Sequence, residues 1–199
     1  ILENKMRILT VADLHLGRTL SSLPETIDAR LYEPRAVLQE LCNFASQKEN
    51  KIEAIVLVGD SVDSAQHFWL ACAQLEKALQ HLLPHNIPVV AVAGNHDAEV
   101  LSRIKKYLKN FPNFHFLGEG GRWQRLSLPL KTATVNFDGW SFPDSSYADN
   151  PLRTYDLPAV NGLTIGLLHC DWDGAPDSPY AAVKAADFES LPASVWLLG

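Results

Sequence analysis

The sequence is poor in the features that mark secreted, membrane-bound and disulfide-rich proteins. Its 199 residues include only three cysteines, Cys42, Cys72 and Cys170, which are too few and too scattered to form a disulfide framework. No apolar run approaches the ~18 residues that a membrane helix needs, and the chain does not open with a basic segment followed by an apolar one. These absences favour a reducing, cytoplasmic location and argue against a membrane association.

Basic residues are also scarce. The sequence has 17 lysines and arginines against 23 aspartates and glutamates, which gives a formal net charge of −6. This balance argues against a broad electrostatic surface for nucleic acid, although a sum over the chain hides local patches. The short basic stretches at 103–109 and 121–125 are better interpreted as a solvated helix face and a hairpin edge.

The remaining composition is that of a globular domain. Hydrophobic residues make up 47% of the sequence and charged residues 20%, which suits one domain with a sizeable core. We assign this domain to residues 6–199, because Met6, the only methionine, begins the first run of strand-like residues. Residues 1–5 are interpreted as a cloning scar or a short upstream extension.

The first half of the sequence alternates buried-strand patterns with amphipathic helix patterns. Strands are predicted over 6–12, 54–60 and 87–94, and helices over 34–48, 65–83 and 98–109. The strands are almost continuously apolar, and each is followed by a helix. This order indicates a parallel sheet covered by helices.

From residue 114 onward the pattern changes to short runs that are typical of antiparallel strands. They predict a second sheet, which begins with "FHFLG" at 114–118. Residues 143–158 are predicted to be mainly loop. A strand over 163–169, a helix over about 179–188 and a strand over 194–199 complete the chain. The fold class is therefore α/β with two sheets.

Four of the predicted strands end in side chains that can bind metal. Asp13 and His15 follow the first strand, Asp60 and Asp63 the second, Asn95, His96 and Asp97 the third, and His169 the late strand. In open α/β sheets, ligands collect at the carboxyl ends of the strands, so these side chains should meet at one edge. Turn chemistry accounts for any one of these motifs, but not for four in order. We therefore predict a metal site there.

The types of ligand indicate which metals the site would take. Carboxylate, amide and imidazole groups without thiolate suit Mn²⁺, Fe²⁺ or Zn²⁺. The candidates outnumber the ligands of one tetrahedral ion, so two ions are expected. Paired ions ~3.5–4 Å apart serve phosphoryl transfer by activating water and neutralising the developing charge. Such a pair needs a bridging carboxylate, and we predict that Asp60 is this residue.

The motifs "DLH", "GDSVD", "GNHD" and "LLH" resemble those of the calcineurin-like metallophosphoesterases. Within that superfamily, "MRILTVADLHLGR", "LTIGLLHCD" and "VWLLG" are similar to the SbcD-like branch of DNA-repair exonucleases. The resemblance covers Met6 to Gly199 and is more specific for the superfamily than for the branch. It implies a two-sheet α-β-β-α sandwich with two divalent metal ions, of which Mn²⁺ is the expected one.

The resemblance also implies which residues hold each metal ion. Asp13 and His15 would bind the first ion, and Asn95 and His169 would bind the second. Asp60 would bridge the two ions.

Two further residues receive roles in catalysis from the resemblance. His96 would face the substrate and protonate the leaving oxygen, and Asp63 would accept a hydrogen bond from His96 and fix its ring. The family's last motif, Gly-His-x-His after a strand, is not present, since the sequence stops at Gly199. We interpret this as a C-terminal truncation, and we expect the 199-residue chain to bind metal weakly and to be nearly inactive.

The resemblance implies hydrolysis of phosphodiesters in DNA by a nuclease subunit with an SbcC-like ATPase partner. It also implies a homodimer, for which the helices at 65–83 and 98–109 are candidate surfaces. Two alternatives stay open. The same fold could act on a nucleotide or another small phosphoester, which the negative charge favours. A non-catalytic metallophosphoesterase-like scaffold is the other alternative; the intact ligand residues argue against it, and only the missing last motif supports it.

Overall fold

Eight strands and three α-helices make up the regular structure of the part of the chain that the computed structural model describes, which is residues 5–19, 28 and 31–199. The strands are β1 (Arg7–Val11), β2 (Ile52–Val58), β3 (Val89–Val92), β4 (Phe114–Phe116), β5 (Gln124–Pro129), β6 (Thr134–Trp140), β7 (Leu163–Leu168) and β8 (Val195–Leu198). The helices are α1 (Pro34–Ser46), α2 (Phe68–Leu82) and α3 (Ala98–Tyr107).

The first sheet contains β1 to β4 in sequence order, and all of its strand pairs are parallel. Parallel neighbours need a crossover connection, and α1, α2 and α3 lie in the three connections. Every residue of β2 and β3 is buried, as expected for strands that are covered on both faces. The predicted alternation of strands and helices is therefore confirmed.

The two faces of the first sheet pack against different layers. Ile55 and Leu57 of β2 belong to the core that the sheet forms with the helices. Val56 and Val58, on the opposite face, pack with Phe137 and other residues of the second sheet. Because side chains alternate along a strand, this double packing requires apolar side chains on both faces of β2, and Glu53 is the one charged residue of the strand.

The helices form where the sequence supplies a suitable start and one apolar stripe. Pro34 occupies the first turn of α1, where its fixed φ favours a helix and its missing N–H has no helical partner to lose. Leu38, Cys42 and Ala45 are the buried residues of α1 and recur every three or four positions. No helix in the described ranges is both long enough and apolar enough to cross a membrane.

The second sheet has the order β5-β6-β7-β8. β5 and β6 form the predicted antiparallel pair, whereas β6, β7 and β8 are parallel to one another. Two packed sheets with helices over the first confirm the predicted α/β architecture. On the outer face of the second sheet, Trp140 and Leu168 are covered by residues of loops and 3₁₀ turns, including Leu152 and Phe188.

The placement of "FHFLG" was wrong. β4, which holds its first three residues, pairs in parallel with β3 through the partners Val89 and Phe114. It therefore belongs to the first sheet and not to the second. The reason is that α3 carries the chain back to the amino end of the sheet, where the next strand continues the parallel order.

The predicted helix over 179–188 was also wrong. This segment forms isolated bridges between Tyr147 and Tyr180 and between Trp172 and Val183, followed by a 3₁₀ turn at Ala185–Phe188. The backbone N–H of Ala181 donates to the Tyr147 carbonyl, and Ala181 has a left-handed φ of 54°. Hydrogen bonds to distant loops thus replace the local bonds that a helix would need.

Candidate metal centre and cleft

The structure brings the predicted polar residues to one edge of the molecule. Asp13 and His15 follow β1, Asp60 and Asp63 follow β2, Asn95 and His96 follow β3, and His169 follows β7. Backbone hydrogen bonds hold these strand ends in register: the His15 N–H donates to the Asp60 carbonyl at 2.9 Å, and the Gly59 N–H to the Val92 carbonyl at 3.0 Å. The predicted convergence at the carboxyl ends of the strands is therefore present.

Three of these residues adopt a strained backbone conformation. The φ angles of Asp13, His15 and Asp60 are 53°, 50° and 48°. A non-glycine residue in this left-handed region costs on the order of 1–3 kcal/mol and persists only where its surroundings fix it. Such outliers cluster at functional sites, so their presence here marks this edge as a candidate centre.

Two glycines make room for the ligand side chains. A Cβ on Gly94 would collide with the Asp60 carboxylate, and a Cβ on Gly59 would collide with the His169 ring. Gly59 also has a φ of 79°, which other residues rarely adopt. The glycines of "GD" and "GNHD" therefore allow the backbone to pass close behind the site.

The Asp60 carboxylate lies between the imidazole rings of three histidines. Its Oδ2 atom lies 3.5 Å from the Nε2 atom of His169, 3.9 Å from that of His15 and 4.0 Å from that of His96. These separations are too long for direct hydrogen bonds. Two ligand atoms bound to one ion at about 2.0–2.2 Å lie at most about 4.4 Å apart, so the observed spacing leaves room for cations between them.

The ligand atoms fall into two groups by distance. Asp13, Asp60 and His169 form one, and His15, Asp63 and His96 form the other; within each group the ligand atoms lie within 4.8 Å of one another. This grouping suits two ions that share the neighbourhood of Asp60. It does not reproduce the expected pairing of Asp13 with His15, and that pairing stays a prediction.

Two of the imidazoles have their tautomers set by backbone carbonyls. The Nδ1 atom of His169 lies 3.3 Å from the Val58 carbonyl oxygen, and that of His96 lies 2.9 Å from the Asp63 carbonyl oxygen. A carbonyl can only accept, so each Nδ1 carries the proton. Each Nε2 then faces Asp60, and in His169 this is the arrangement that a metal-binding imidazole requires.

His15 has a buried polar atom without a hydrogen bond, its Nδ1. This atom lies 3.3 Å from Oδ1 of Asp63, whose Oδ2 lies 3.6 Å from Nδ1 of His67. The Asp63 carboxylate is therefore placed between His15 and His67, while its backbone carbonyl accepts from His96. The expected contact between His96 and Asp63 is present, but the backbone provides it.

His96 is the most accessible of the three imidazoles around Asp60, with 46% of its side chain exposed. Its backbone N–H donates to Oδ1 of Asp60 at 3.0 Å, and its ring lies edge-on to that of His15. Asn95 lines the cleft beside it. This position leaves the His96 ring free to meet a molecule in the cleft.

Asp97, at the end of the "GNHD" motif, was counted among the side chains that can bind metal, but no individual role was predicted for it. It is fully buried, and its carboxylate accepts hydrogen bonds from the backbone N–H groups of Ser61 (2.7 Å), Val62 (3.1 Å) and Gly94 (2.8 Å). Loss of solvent raises the pKa of Asp97 to about 7, the negative charge of Asp60 adds to this rise, and the three N–H donors oppose it. Asp97 therefore ties the loop after β2 to the loop after β3.

A cleft of about 510 Å³ opens beside the candidate metal ligands. Its lining consists of Asp63, Ser64, Ala65, Asn95, His96, Ser145, Ser146, Pro179 and Tyr180. An adjoining space of about 300 Å³ extends along Glu99 and Asp144. The N–H of Tyr147 donates to the Pro179 carbonyl at 2.7 Å, which joins the two loops that form the far wall. The sequence did not reveal this wall, because neither loop carries a motif.

Comparison with known proteins identifies a family and a relative. The family described as calcineurin-like phosphoesterase matches residues 6–176. The SbcD component of the nuclease SbcCD from Bacillus subtilis (strain 168) is 40% identical over 93 residues, which cover 46% of this chain. The match covers 22% of the length of that protein.

Proposed function

Because the chain belongs to the calcineurin-like phosphoesterase family, we propose that it hydrolyses phosphodiesters in DNA at a centre of two divalent metal ions. The observation that carries this proposal is the position of Asp60. Its Oδ2 atom lies 3.5–4.0 Å from three imidazole nitrogens without a direct hydrogen bond to any of them. A buried carboxylate without a cationic side chain bonded to it favours a bound cation, and imidazole nitrogens at this spacing are suitable co-ligands.

The site residues suit divalent ions with a mixed preference for oxygen and nitrogen, and we propose Mn²⁺. Asp60 would help to hold both ions, while its Oδ1 atom accepts the His96 N–H. Asp13 and His15 would hold one ion, and Asn95 and His169 the other. When bound, such ions lower the pKa of a water molecule and neutralise charge on the phosphoryl oxygens.

His96 would handle the proton of the leaving oxygen. The Nδ1 proton of His96 is donated to the Asp63 carbonyl. The Nε2 atom of His96 is therefore the one that can take up a proton and deliver it into the cleft. The partial exposure of the ring allows contact with a substrate. Asp63 acts here as a positioning residue through its backbone and not as a reacting group.

DNA is proposed as the substrate because the relative from Bacillus subtilis is named as part of a nuclease. The name SbcCD also supports a partner of the SbcC kind, which the resemblance implies to be an ATPase. A second candidate substrate is a nucleotide or other small phosphoester. Glu99 and Asp144 at the extended cleft favour this candidate, because their negative charges repel a polyanion.

A homodimer is proposed through α2 and α3. Trp69 is 65% exposed on α2 and Tyr107 is 57% exposed on α3, and their rings meet edge to face at 5.0 Å. Leu70 is exposed beside them. Exposed aromatic side chains of this size are typical of interface centres. Light scattering should give a smaller mass for Trp69→Glu than for wild type, and an equal mass would contradict this assignment.

The test of the catalytic proposal combines metal binding with turnover. Calorimetric titration with MnCl₂ should show binding that Asp60→Asn abolishes and Asp144→Asn retains. The chain should hydrolyse a DNA duplex slowly, chelation should stop this hydrolysis, and Mn²⁺ should restore it. Hydrolysis of nucleotides alone would favour the second candidate, and activity that survives chelation would contradict the metal centre.

A further inference from the structure

A second groove lies at the other end of the first sheet. The candidate metal ligands follow the carboxyl ends of the strands, whereas this groove is formed at the amino ends of β1 and β2, where the turn between β5 and β6 approaches them. Its volume is about 710 Å³. The seven residues of β2 separate the groove from the candidate metal centre. At a rise of ~3.3 Å per residue, the two sites lie on the order of 20 Å apart.

The groove is basic although the chain is acidic. It is lined by five of the 17 lysines and arginines of the sequence, and by His85. The five are Lys5, Arg7, Lys48, Lys51 and Lys131. Lys48, Lys51 and Lys131 are exposed, and across the described ranges no carboxylate lies within ion-pair distance of any of them. Arg7 donates to the Asn50 carbonyl at 3.3 Å.

The groove's acidic residue, Glu53, does not neutralise this charge. It is buried, and its carboxylate accepts hydrogen bonds from the backbone N–H of Thr132 at 2.7 Å and from the Thr132 hydroxyl. These bonds attach the turn between β5 and β6 to the start of β2. Glu53 therefore holds the Lys131 side of the groove in place, and the charges of Lys48, Lys51 and Lys131 face solvent.

We infer that this groove binds the sugar-phosphate backbone of DNA at a second contact, separate from the cleft. The cations come from separate segments, so they suit a row of phosphates better than a single one. Among the residues that the structure describes, the lining contains no tryptophan, tyrosine or phenylalanine on which a base could stack. Contacts of this kind position a duplex without reading its sequence.

The distances fit a duplex that touches both ends of the sheet. One helical turn of about 34 Å exceeds the spacing of about 20 Å between groove and metal centre, so a short duplex along the side of the molecule can reach both. The choice of DNA as the partner rests on the proposed function, but the arrangement of the groove residues does not depend on the metal centre. A failure of catalysis and a failure of this contact are therefore separable.

The test uses a triple variant, Lys48→Gln, Lys51→Asn and Lys131→Gln. Asn is chosen at Lys51 because the φ there is 54°, which Asn tolerates. A matched control, Lys77→Gln, Lys109→Gln and Arg122→Gln, changes the net charge equally at exposed positions outside the groove. Thermal unfolding followed by circular dichroism should be the same for both variants and wild type.

Binding of a labelled 30-base-pair duplex is measured by fluorescence anisotropy in chelator over a salt series. The groove variant should bind at least ~10-fold more weakly, and its salt slope should fall by ~2–3, because each phosphate contact contributes ~0.9. The control should stay within about twofold of wild type. Equal binding by wild type and the groove variant, or no binding by wild type at low salt, would overturn the inference.

Competition separates DNA from an acidic protein partner. Unlabelled duplex should displace the labelled duplex from the wild-type chain, and poly-L-glutamate of matched charge should not. Equal displacement by poly-L-glutamate would overturn the assignment to DNA. Metal binding by the groove variant, measured by MnCl₂ calorimetry, should equal that of wild type, which keeps this result apart from the catalytic test.

Discussion

Asp138 and Asp60 are both buried carboxylates, yet their surroundings differ in kind. Asp138, on the outer face of the second sheet, is fully buried and pairs with Arg125 through two bonds of 2.6 and 2.7 Å. The Tyr155 hydroxyl also donates to it. Burial and the charge of Asp138 raise the pKa of Tyr155, so this phenol stays protonated as a donor.

Asp60 has no such partner among the described residues. It is 4% exposed, and Oδ1 accepts one backbone N–H, but its Oδ2 atom faces three imidazoles at distances longer than a hydrogen bond. A buried charge is costly unless it is paired. We infer that Asp138 stabilises the fold, since the protein itself neutralises it, whereas Asp60 is left for cations from outside the chain.

The largest expected effect comes from Asp60→Asn. The amide keeps the shape and the acceptor for the His96 N–H but loses the bridging charge, so Mn²⁺ binding and hydrolysis should fall together to background. Calorimetry beside turnover measures both. In chelator, the melting temperature should not fall, because no lysine or arginine in the described ranges pairs with Asp60. A clear drop in chelator would mean that Asp60 has a structural role like that of Asp138.

The next effect concerns His96. His96→Ala should keep metal binding and lose roughly 10²–10⁴-fold in rate, the usual contribution of a general acid. His67→Ala is the matched control, because His67 also lies beside Asp63 but outside the group around Asp60. If His96→Ala fails to bind Mn²⁺, His96 is a ligand and the proposed division of roles is wrong.

Asp138→Ala tests the other half of the comparison. It leaves Arg125 largely buried without its partner, and we expect a loss of ~3–5 kcal/mol in unfolding free energy, with metal binding unchanged in the folded fraction. Urea denaturation measures the loss. The double variant Arg125→Leu and Asp138→Leu should recover part of it, because no unpaired charge is left. Metal loss in folded Asp138→Ala protein would contradict the division into structural and ligand carboxylates.

The sequence predicted the regions whose structure follows from the pattern of residues close together in the chain, such as the strands and the ligand candidates that follow them. Each metal-ligand candidate directly follows an apolar strand, and the parallel order of those strands brings the strand ends together. Asp138, Arg125 and Tyr155 carry no such signal, because their contact is set by the pairing of β5 with β6 and by a distant loop. The same holds for the segment around Ala181, whose backbone bonds to the loop at Tyr147 replace the predicted helix.

The smallest expected effect is that of Asp63→Asn. The sequence motifs predicted that the Asp63 carboxylate orients His96, but the structure gives this task to the Asp63 carbonyl, which Asn retains. The substitution instead removes the charge between His15 and His67. The affinity for Mn²⁺ should therefore fall by about tenfold, which is the low end of the loss expected when a group that orients a metal ligand is removed. The rate at saturating Mn²⁺ should change little. Turnover measured against Mn²⁺ concentration separates the two quantities. A large rate loss at saturation, equal to that of His96→Ala, would instead place the Asp63 carboxylate in control of the His96 ring.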